Sequence, residues 1–298
     1  MRRSSGCCAP VWNCRRPWHG RRSSSFSRRC GIRRPITRPW RAGCRTGGRN
    51  VREWVALYHT HHSLEAEDQA FWLWLAEQSG GPVLELGCGS GRLTLPLAQR
   101  GRWVVGVDRD FDMLCYARDL AAHSGGRSPD WVQADFCHLH LAQRFALIFL
   151  ACNTFSTLTC REQRAVLAVA RRHLTGAGVF AVSMPNPLLL ETLPPRGEPE
   201  VETVFAHPES DAVVQVLSEW RREGEVVTLR WYYDCLFPDG TTRRHELTAR
   251  HRLQSLDSLR DLFEQAGLRL ERQYGDYERH PFAADSPWLI LTARSSTD

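Results

Sequence analysis

Two periodicities of apolar residues divide the chain. Between residues 51 and 185, short continuous apolar runs alternate with segments in which apolar residues recur every three or four positions. The first pattern is typical of buried strands and the second of amphipathic helices. The predicted strands are 83–86, 103–108, 131–136, 145–150 and 179–184. Because strands that alternate with helices build a parallel sheet covered on both faces, we expect an α/β domain with a doubly wound sheet.

After residue 185 the pattern changes to alternation with a period of two. Residues 185–199 are rich in proline, which excludes a regular helix or a central strand from that connection. Three alternating segments follow, at 212–221, 226–237 and 241–253, and glycine-containing turns join them. This predicts an antiparallel β meander inserted at about residues 200–254. A helix and two further strands, at 268–274 and 288–293, are predicted to complete the domain.

Closely spaced glycines follow the first predicted strand. Gly87, Gly89 and Gly91 come directly after residues 83–86 and before a predicted helix. Glycine allows the backbone to turn sharply and to approach a ligand that a Cβ would exclude, and a helix N-terminus presents free N–H groups. These features predict a nucleotide-binding turn. A dinucleotide-binding turn has the pattern G-x-G-x-x-G, but Arg92 occupies the third glycine position, which disfavours a dinucleotide.

Acidic residues end the next two predicted strands. Asp108 lies about 20 residues after the first glycine, at the spacing where a carboxylate accepts hydrogen bonds from ribose hydroxyls. The N-cap of the following helix is the alternative role for Asp108, and it does not exclude ligand binding. Asp135, at the end of the third strand, is suited to accept a hydrogen bond from an adenine amine, and Phe136 to cover the ring. Met113 is placed to lie over the adenine or to belong to the core.

The segment E-L-G-C-G-S-G, from Glu85 to Gly91, resembles motif I of the class I S-adenosylmethionine-dependent methyltransferases. The order of elements over residues 51–294, the β insertion and the tail from Tyr274 to Arg294 resemble the small-molecule branch of that family. The resemblance implies a Rossmann-like, doubly wound, mostly parallel seven-stranded sheet whose last strand is antiparallel. It also implies S-adenosyl-L-methionine as the cofactor.

By the same resemblance, the cofactor-binding residues lie at the carboxyl ends of the first four strands. They are Glu85, Gly87, Cys88, Gly89, Gly91, Arg92, Asp108, Arg109, Met113, Asp135, Phe136 and Ala151. The resemblance implies that the three glycines line the methionine and ribose, and that Arg92 meets the methionine carboxylate. It assigns the ribose to Asp108 and the adenine to Asp135 and Phe136.

The methyl acceptor is expected to be a small molecule. Methyltransferases that act on DNA amino groups carry Asn or Asp followed by Pro-Pro and an aromatic residue, but Asn153 is followed by Thr154 and Phe155. The sequence also has no Pro-Cys pair, the mark of a nucleophilic cysteine in base methylation. A sulfonium methyl group is already activated, so in-line displacement by an O, N or C nucleophile needs chiefly the alignment of donor and acceptor.

A general base is optional in such a mechanism, and no catalytic residue is assigned. The side chains on or near the insertion that are able to accept a proton are His207, His245, His251, Tyr232 and Tyr233. Packing or surface roles are favoured for each of them. Two other functions stay open: a nicotinamide-dependent oxidoreductase, which predicts a glycine where Arg92 stands, and a methyltransferase-like module that binds the cofactor without turnover.

Charge is distributed unevenly along the chain. Residues 1–50 contain 14 arginines and no acidic residue, which leaves 25 basic and 33 acidic residues in 51–298. The acidic balance of the second part disfavours nucleic acid as a partner of the folded domain. The first part has no helical or strand period, and we expect it to be disordered. We favour a non-native upstream extension, with a transit-like peptide or a nucleic-acid arm as alternatives, and assign residues 51–298 to the methyltransferase domain.

The remaining composition favours a reduced, cytoplasmic protein. The 11 cysteines include no C-x-x-C pair, and the longest apolar run, 145–152, is far shorter than the roughly 20 residues of a membrane span. We expect no membrane partner and no metal. His59, His61 and His62 lack further ligands at suitable spacing, so solvated or helix-capping roles are expected for them. The sequence leaves monomer and homodimer open.

Overall fold

The computed structural model describes residues 49–64 and 66–296. Its helices are α1 (Arg49–Leu64), α2 (Glu67–Ser79), α3 (Thr94–Gln99), α4 (Phe111–Ser124), α5 (Thr154–Thr157), α6 (Cys160–His173), α7 (Pro187–Thr192) and α8 (Leu256–Gln265). Its strands are β1 (Val83–Leu86), β2 (Val104–Asp108), β3 (Asp130–Gln133), β4 (Phe145–Leu150), β5 (Leu174–Pro185), β6 (Glu200–Ala206), β7 (Val213–Glu223), β8 (Val226–Leu236), β9 (Thr242–Arg252), β10 (Leu268–Tyr274) and β11 (Trp288–Ser295). Within this part of the chain, no helix is long and apolar enough to cross a membrane. The disorder predicted for residues 1–50 falls outside the described residues, except that α1 begins at Arg49.

Seven strands form one sheet in the order β10-β11-β5-β4-β1-β2-β3. Strands β1 to β5 pair in parallel, and β11 pairs antiparallel with both β5 and β10. This confirms the doubly wound, mostly parallel sheet. The strand order reverses between β1 and β4, so the connections from these neighbours leave in opposite directions. Open α/β sheets bind their ligands in the crevice that such a reversal creates at the carboxyl ends of the strands.

Two apolar cores pack on opposite faces of this sheet. On one face, Trp72 of α2 and Leu97 of α3 pack against Phe149 of β4. On the other face, Val166 of α6 and Phe263 of α8 belong to the core. Each of these five side chains is at most 1% exposed. Helices therefore cover both faces, and the burial of apolar surface on each side stabilises the sheet between them.

The insertion is an antiparallel sheet of four strands, in the order β6-β7-β8-β9. The last three strands match the predicted meander. The sequence pattern misses β6, because a register shift between Val201 and Thr203 interrupts its alternation and Phe205 is its one buried residue. The inner face of the insertion packs on α1, where Leu57 joins Phe205 and Tyr233 in a third apolar cluster. Since α1 also contacts α4, this helix connects the insertion to the main sheet.

The proline-rich connection contains a helix that the sequence interpretation excludes. Pro187 lies in the first turn of α7, where its missing N–H costs no hydrogen bond. The Asn186 side chain caps this helix by accepting a hydrogen bond from the Leu188 N–H (2.9 Å). The prediction for residues 185–199 is therefore wrong over the span of α7.

Candidate functional site

The glycine turn after β1 is shaped by its backbone. Gly87, Gly89 and Gly91 have φ angles of 75°, 50° and 78°, in the left-handed region that other residues rarely adopt. The N–H groups of Gly87 and Cys88 both donate to the Val107 carbonyl oxygen (2.8 and 3.0 Å). These two hydrogen bonds fasten the turn to β2.

Two of these glycines are needed for different reasons. A Cβ added to Gly89 would meet no atom within 4 Å, whereas one added to Gly91 would lie 2.7 Å from the Trp131 ring. Gly91 is therefore required by packing inside the domain. Gly89 presents bare backbone at the open edge of the sheet, which fits the close approach of a nucleotide cofactor.

Asp108 ends β2 and binds the glycine turn. Its Oδ2 accepts a hydrogen bond from the Gly89 N–H (2.7 Å), and its Oδ1 accepts one from the Asp110 N–H (2.9 Å). Each oxygen keeps a lone pair for a ribose hydroxyl. Burial raises the pKa of Asp108 above its usual value. The helix-cap alternative for Asp108 is wrong, because Asp110 accepts the capping hydrogen bonds from the N–H groups of Asp112 and Met113.

Glu85 and Cys88 are buried residues next to the turn. Glu85 accepts a hydrogen bond from the Thr94 hydroxyl at the start of α3. Burial raises the pKa of Glu85 to about 8, so its carboxyl group is protonated at neutral pH. The Cys88 sulfur lies 3.0 Å from the position of a Cβ on Gly106 in β2. Both side chains are placed to support the turn, and their direct contact with a cofactor stays a prediction.

The residues predicted to bind adenine lie after β3, beside the glycine turn. The Phe136 ring comes within 3.6 Å of the position of a Cβ on Gly87. Asp135 Oδ1 accepts a hydrogen bond from the Cys137 N–H (2.9 Å), which lowers the pKa of Asp135 and keeps it ionised. Arg109 follows β2, Met113 is in the first turn of α4, and Ala151 follows β4. The same edge of the sheet therefore carries these residues, whose cofactor contacts stay predictions.

Arg92 makes an ion pair with Asp68, and its predicted contact with the cofactor stays a prediction. Its two Nη atoms donate to the two carboxylate oxygens of Asp68 on α2, both at 2.6 Å, and Nη2 lies 2.9 Å from the Cys152 sulfur. The side chains of Arg92 and Asp68 are 12% and 8% exposed, so the pair is shielded from water. A bidentate pair of this kind is the strong form of an Arg–carboxylate interaction. Arg92 thus links α2 to the turn after β4, and this geometry gives no support to a contact with the methionine carboxylate.

The turn after β4 is strained at two consecutive residues. Cys152 and Asn153 have φ angles of 52° and 62°, a conformation that costs other residues than glycine about 1 kcal/mol each. The Thr154 N–H and hydroxyl both donate to the Ala151 carbonyl oxygen (3.2 and 2.9 Å). Thr154 also lies 3.6 Å from the position of a Cβ on Gly87. The turns after β1 and β4 therefore meet where the strand order reverses.

Polar side chains of α1 lie over the glycine turn, and the sequence interpretation misses them. His59 Nδ1 lies 2.9 Å from the Ser90 hydroxyl, and the rings of Tyr58 and His62 have centroids 4.2 Å apart. Burial lowers the pKa of His59, lowers that of His62 to about 3, and raises that of Tyr58. All three side chains are therefore neutral at neutral pH. The available signal was the i, i+4 spacing of Tyr58 and His62, which puts both on one face of a helix.

The solvated or capping role expected for the histidines of α1 is wrong for His61, whereas His59 and His62 are partly buried. His61 is buried, and its Nδ1 lies 2.8 Å from the Tyr233 hydroxyl on the insertion. The glycine turn on one side, through Ser90, and the insertion on the other leave this part of α1 little contact with water. Among the described residues, no group of three or more His, Cys, Asp or Glu side chains is placed to hold a metal ion.

The five candidate proton acceptors on the insertion have partners away from the glycine turn. His207 Nε2 lies 3.2 Å from Glu53 Oε1, Tyr233 contacts His61, Tyr232 donates to Glu219 (2.7 Å), and His245 stacks on Trp54. His251 Nδ1 lies 2.9 Å from the Ser156 hydroxyl in α5. Of the five, His251 is therefore the one joined to the element that follows the strained turn.

Comparison with known proteins agrees with this arrangement. Residues 83–178 match a family model described as a methyltransferase domain. Over 219 residues the chain is 28% identical to the cypemycin N-terminal methyltransferase of a Streptomyces species, covering 71% of this chain and 82% of that protein. The solved structure of the CcbJ methyltransferase from Streptomyces caelestis is 28% identical, with a TM-score of 0.63, over 77% of this chain and 90% of that one.

A shorter match is to the 23S rRNA (uracil(1939)-C(5))-methyltransferase RlmD of Shewanella sp. (strain MR-4), at 48% identity over 52 residues. It covers 17% of this chain and 12% of that enzyme, so the chain spans about an eighth of that relative's length. The sheet order, the glycine turn with Asp108, and the longer matches lead to one class. Residues 83–178 match a methyltransferase domain, and the chain as a whole is similar to the class I S-adenosylmethionine-dependent methyltransferases, whose cofactor is S-adenosylmethionine.

Proposed function

We propose that this chain methylates a small-molecule acceptor by direct in-line displacement, with an amine nitrogen as the attacking atom. The observation that carries the proposal is the meeting of two turns at the carboxyl edge of the sheet. The glycine turn and Asp108 form the cofactor side, and the strained turn at Cys152 and Asn153 forms the acceptor side. When bound, S-adenosylmethionine supplies an activated methyl group on a sulfonium.

The residues of the chain have two tasks in such a reaction. Asp108 and the backbone at Gly89 are placed to hold the ribose, which fixes one reactant at the edge of β1 and β2. The turn after β4 and the overlying side chains of α1 have to orient the acceptor against it. Alignment of this kind supplies much of the acceleration when the leaving group is already activated.

Titratable side chains near the two turns favour an acceptor that brings its own lone pair. His59 and His62 have lowered pKa values, Tyr58 has a raised one, and Asp68 is engaged by Arg92. None of these side chains is a strong base at neutral pH, as a hydroxyl acceptor would need. The neutral form of an amine attacks with its own lone pair as the bond from the methyl carbon to the sulfonium sulfur breaks, and the methylated ammonium then loses its proton to water, so no protein base has to act in the transfer step. The relative matched over most of its length is named an N-terminal methyltransferase, which agrees with nitrogen as the attacking atom.

A small molecule fits the surface better than a nucleic acid does. Residues 51–298 contain 33 acidic and 25 basic residues, and binding of a phosphate backbone requires clustered positive charge. The rRNA-modifying relative shares too short a segment to bring its substrate to this chain.

Calorimetry with S-adenosylhomocysteine tests the cofactor side. We expect the wild type to bind and Asp108→Ala to lose about 10- to 100-fold in affinity, since two hydrogen bonds to a charged group are removed. Asp257→Ala, which removes an exposed carboxylate on α8, is the matched control and should bind normally. Undiminished binding by Asp108→Ala, or tight binding of NADH by the wild type, would contradict the proposal.

Product analysis tests the acceptor side. The full chain is incubated with S-adenosylmethionine and matched pairs of primary amines and alcohols, and with peptides that have a free N-terminus. We expect S-adenosylhomocysteine and a methylated amine. Methylation of the alcohols alone would show that the attacking atom is oxygen and would contradict the proposed amine acceptor. Cofactor binding without S-adenosylhomocysteine formation in any mixture, cell extracts included, would favour a module without turnover.

A further inference from the structure

Two hydrogen bonds join the insertion to the strained turn after β4. His251 on β9 is 2% exposed, and its Nδ1 lies 2.9 Å from the Ser156 hydroxyl oxygen in α5. Ser156 is 4% exposed, and the same hydroxyl donates to the Asn153 carbonyl oxygen (2.8 Å). The two bonds therefore form a chain from a strand of the insertion to a residue in the left-handed conformation.

The protons of this chain can be assigned. The Ser156 hydroxyl has one hydrogen, which it gives to Asn153, so its oxygen accepts the bond from the imidazole. His251 Nδ1 then carries the ring proton. Burial lowers the pKa of His251 to about 4, in agreement with a neutral ring that has a single proton. A side chain with a donor at the position of Nδ1 is thus the one requirement at residue 251.

The strained turn depends on its surroundings. Consecutive left-handed residues persist only where the neighbouring structure holds them. Cys152 is held by Arg92 through its sulfur (2.9 Å), and Asn153 is held by Ser156 through its carbonyl oxygen. Among the described residues, the buried Asn153 Oδ1 has no hydrogen-bond partner. The turn that the acceptor is expected to face therefore has one support from the main domain and one from the insertion.

We propose that His251 and Ser156 are positioning residues for methyl transfer. They hold the turn at Cys152 and Asn153 in the conformation that aligns the acceptor, and neither touches a reacting atom. The insertion then contributes to the site, because its strand β9 sets the geometry of the turn. The kinetic consequence rests on the proposed methyl transfer, whereas the effect on the turn does not.

Three variants of the full chain test the kinetic consequence. We expect Ser156→Ala and His251→Leu to lower kcat for an amine acceptor by about 10- to 100-fold, the loss that a small misplacement of reactants causes. The Kd for S-adenosylhomocysteine should change less than about threefold, because Asp108 and the glycine turn are untouched. His251→Asn, whose amide N–H replaces the Nδ1 proton, should recover most of the activity.

His173→Leu is the matched control for the loss of a buried histidine. His173 is 1% exposed and makes two hydrogen bonds, at the end of α6 and away from the carboxyl edge of the sheet. We expect it to lower the melting temperature and leave kcat unchanged. If Ser156→Ala and His251→Leu behave as this control does, the positioning role is refuted.

Alkylation of Cys152 reports on the turn without any methyl acceptor. Labelling with iodoacetamide is followed by peptide mass spectrometry, which separates Cys152 from the other cysteines. We expect a change of at least about threefold in the Cys152 rate in Ser156→Ala and His251→Leu, and a wild-type rate in His251→Asn and His173→Leu. If the wild type methylates no amine but these rates change, the proposed function fails and the support of the turn stands. Equal rates in all five proteins would overturn the inference.

Discussion

The proposed cofactor side and the proposed acceptor side of this site are built from different parts of the polypeptide. On the cofactor side, the decisive contacts involve backbone N–H groups and span short stretches of sequence, such as the bond from Gly89 N–H to Asp108 Oδ2, 19 residues apart. On the acceptor side they are side-chain contacts between distant segments. His61 and Tyr233 are 172 residues apart, and Ser156 and His251 are 95 apart.

This difference explains how one fold can keep a methyl donor and change the acceptor. A turn made by left-handed glycines admits few substitutions, since a Cβ there meets either strain or a neighbouring side chain. Side chains on α1 and on the insertion belong to elements outside the main sheet. We therefore expect single substitutions on the cofactor side to cause large losses of stability and of cofactor affinity. Substitutions on the acceptor side should cause smaller losses.

The largest effect is expected from Gly91→Ala. The added Cβ would lie 2.7 Å from the Trp131 ring and 3.1 Å from the Ala117 Cβ, in a residue with a φ of 78°. Strain and overpacking together should lower the free energy of unfolding by about 3 kcal/mol. Binding of S-adenosylhomocysteine should fall by more than about 100-fold, because the turn that carries Gly89 has to move. Urea unfolding and calorimetry measure the two quantities.

Gly101→Ala is the matched control for this substitution. Gly101 follows α3, has a φ of 80°, and has no atom within 4 Å of the position of a Cβ. It should lose about 1 kcal/mol of stability from the backbone conformation alone and bind S-adenosylhomocysteine normally. Equal losses of stability in the two variants would mean that backbone strain, and not the packing of the glycine turn, causes the effect of Gly91→Ala.

The features predicted from the sequence are those fixed by short-range rules. The spacing of the glycines predicts the turn, and the length and apolar content of the strands predict the sheet. The sequence distance from Gly87 to Asp108 predicts the carboxylate beside the turn. The α7 helix was missed because Pro187, read as a helix breaker, is a favoured residue in a first turn. The alternation of β6 was hidden by its register shift at Val201.

The features missed at the site depend on long-range packing. The pairing of Arg92 with Asp68 is not foreseen because Asp68 lies in a helix for which the sequence indicates only apolar stripes. His61 was expected in water because a pattern within α1 does not show that Tyr233 will cover it. Identifying such pairs requires the relative placement of elements, which periodicity does not provide.

On the acceptor side, the largest effect is expected from Arg243→Ala. Arg243 Nη1 donates to both oxygens of Glu53 on α1 (2.7 and 2.6 Å), and the Glu53 side chain is 9% exposed. Removal of the arginine leaves a buried carboxylate with His207 as its remaining partner, 3.2 Å away. The free energy of unfolding should fall by about 2 kcal/mol, less than for a fully buried pair because Arg243 is half exposed. Amide hydrogen exchange in α1 should become faster.

Arg244→Ala provides the comparison for this prediction. Arg244 donates to both oxygens of Asp234 (2.6 Å each) and stacks on Tyr232, so all its partners lie within the insertion. A similar loss of stability is expected, with exchange in α1 unchanged. Faster exchange in α1 in both variants would show that the insertion loosens as a whole and that the contact with Glu53 is not specific.

A smaller effect is expected from the titration of Glu85, which should change the free energy of unfolding by at most about 1.4 kcal/mol per pH unit. Its pKa is about 8 in the folded protein and near 4.5 in an unfolded chain. Between these values the folded state keeps a proton that the unfolded state has lost, so stability falls as the pH rises toward 8. Glu85→Gln cannot titrate and should remove this slope. Unfolding curves of the wild type and of Glu85→Gln at about pH 6 and pH 7 test this prediction. If both proteins lose the same stability between the two pH values, Glu85 is not buried in its protonated form.

The smallest effect is expected where the two sides touch. The His59 ring on α1 and the Ser90 hydroxyl in the glycine turn are 2.9 Å apart, and Ser90 is 3% exposed. Ser90→Ala should cost about 1 kcal/mol, seen as a severalfold loss of affinity for S-adenosylhomocysteine. Ser124→Ala removes an exposed hydroxyl that bonds a helix carbonyl (2.7 Å) and should change nothing. A double-mutant cycle with His59→Phe isolates the pair, because only the coupling energy distinguishes a contact from two independent residues. A coupling near zero would mean that α1 lies over the cofactor turn without acting on it, and that the two sides of the site are energetically separate.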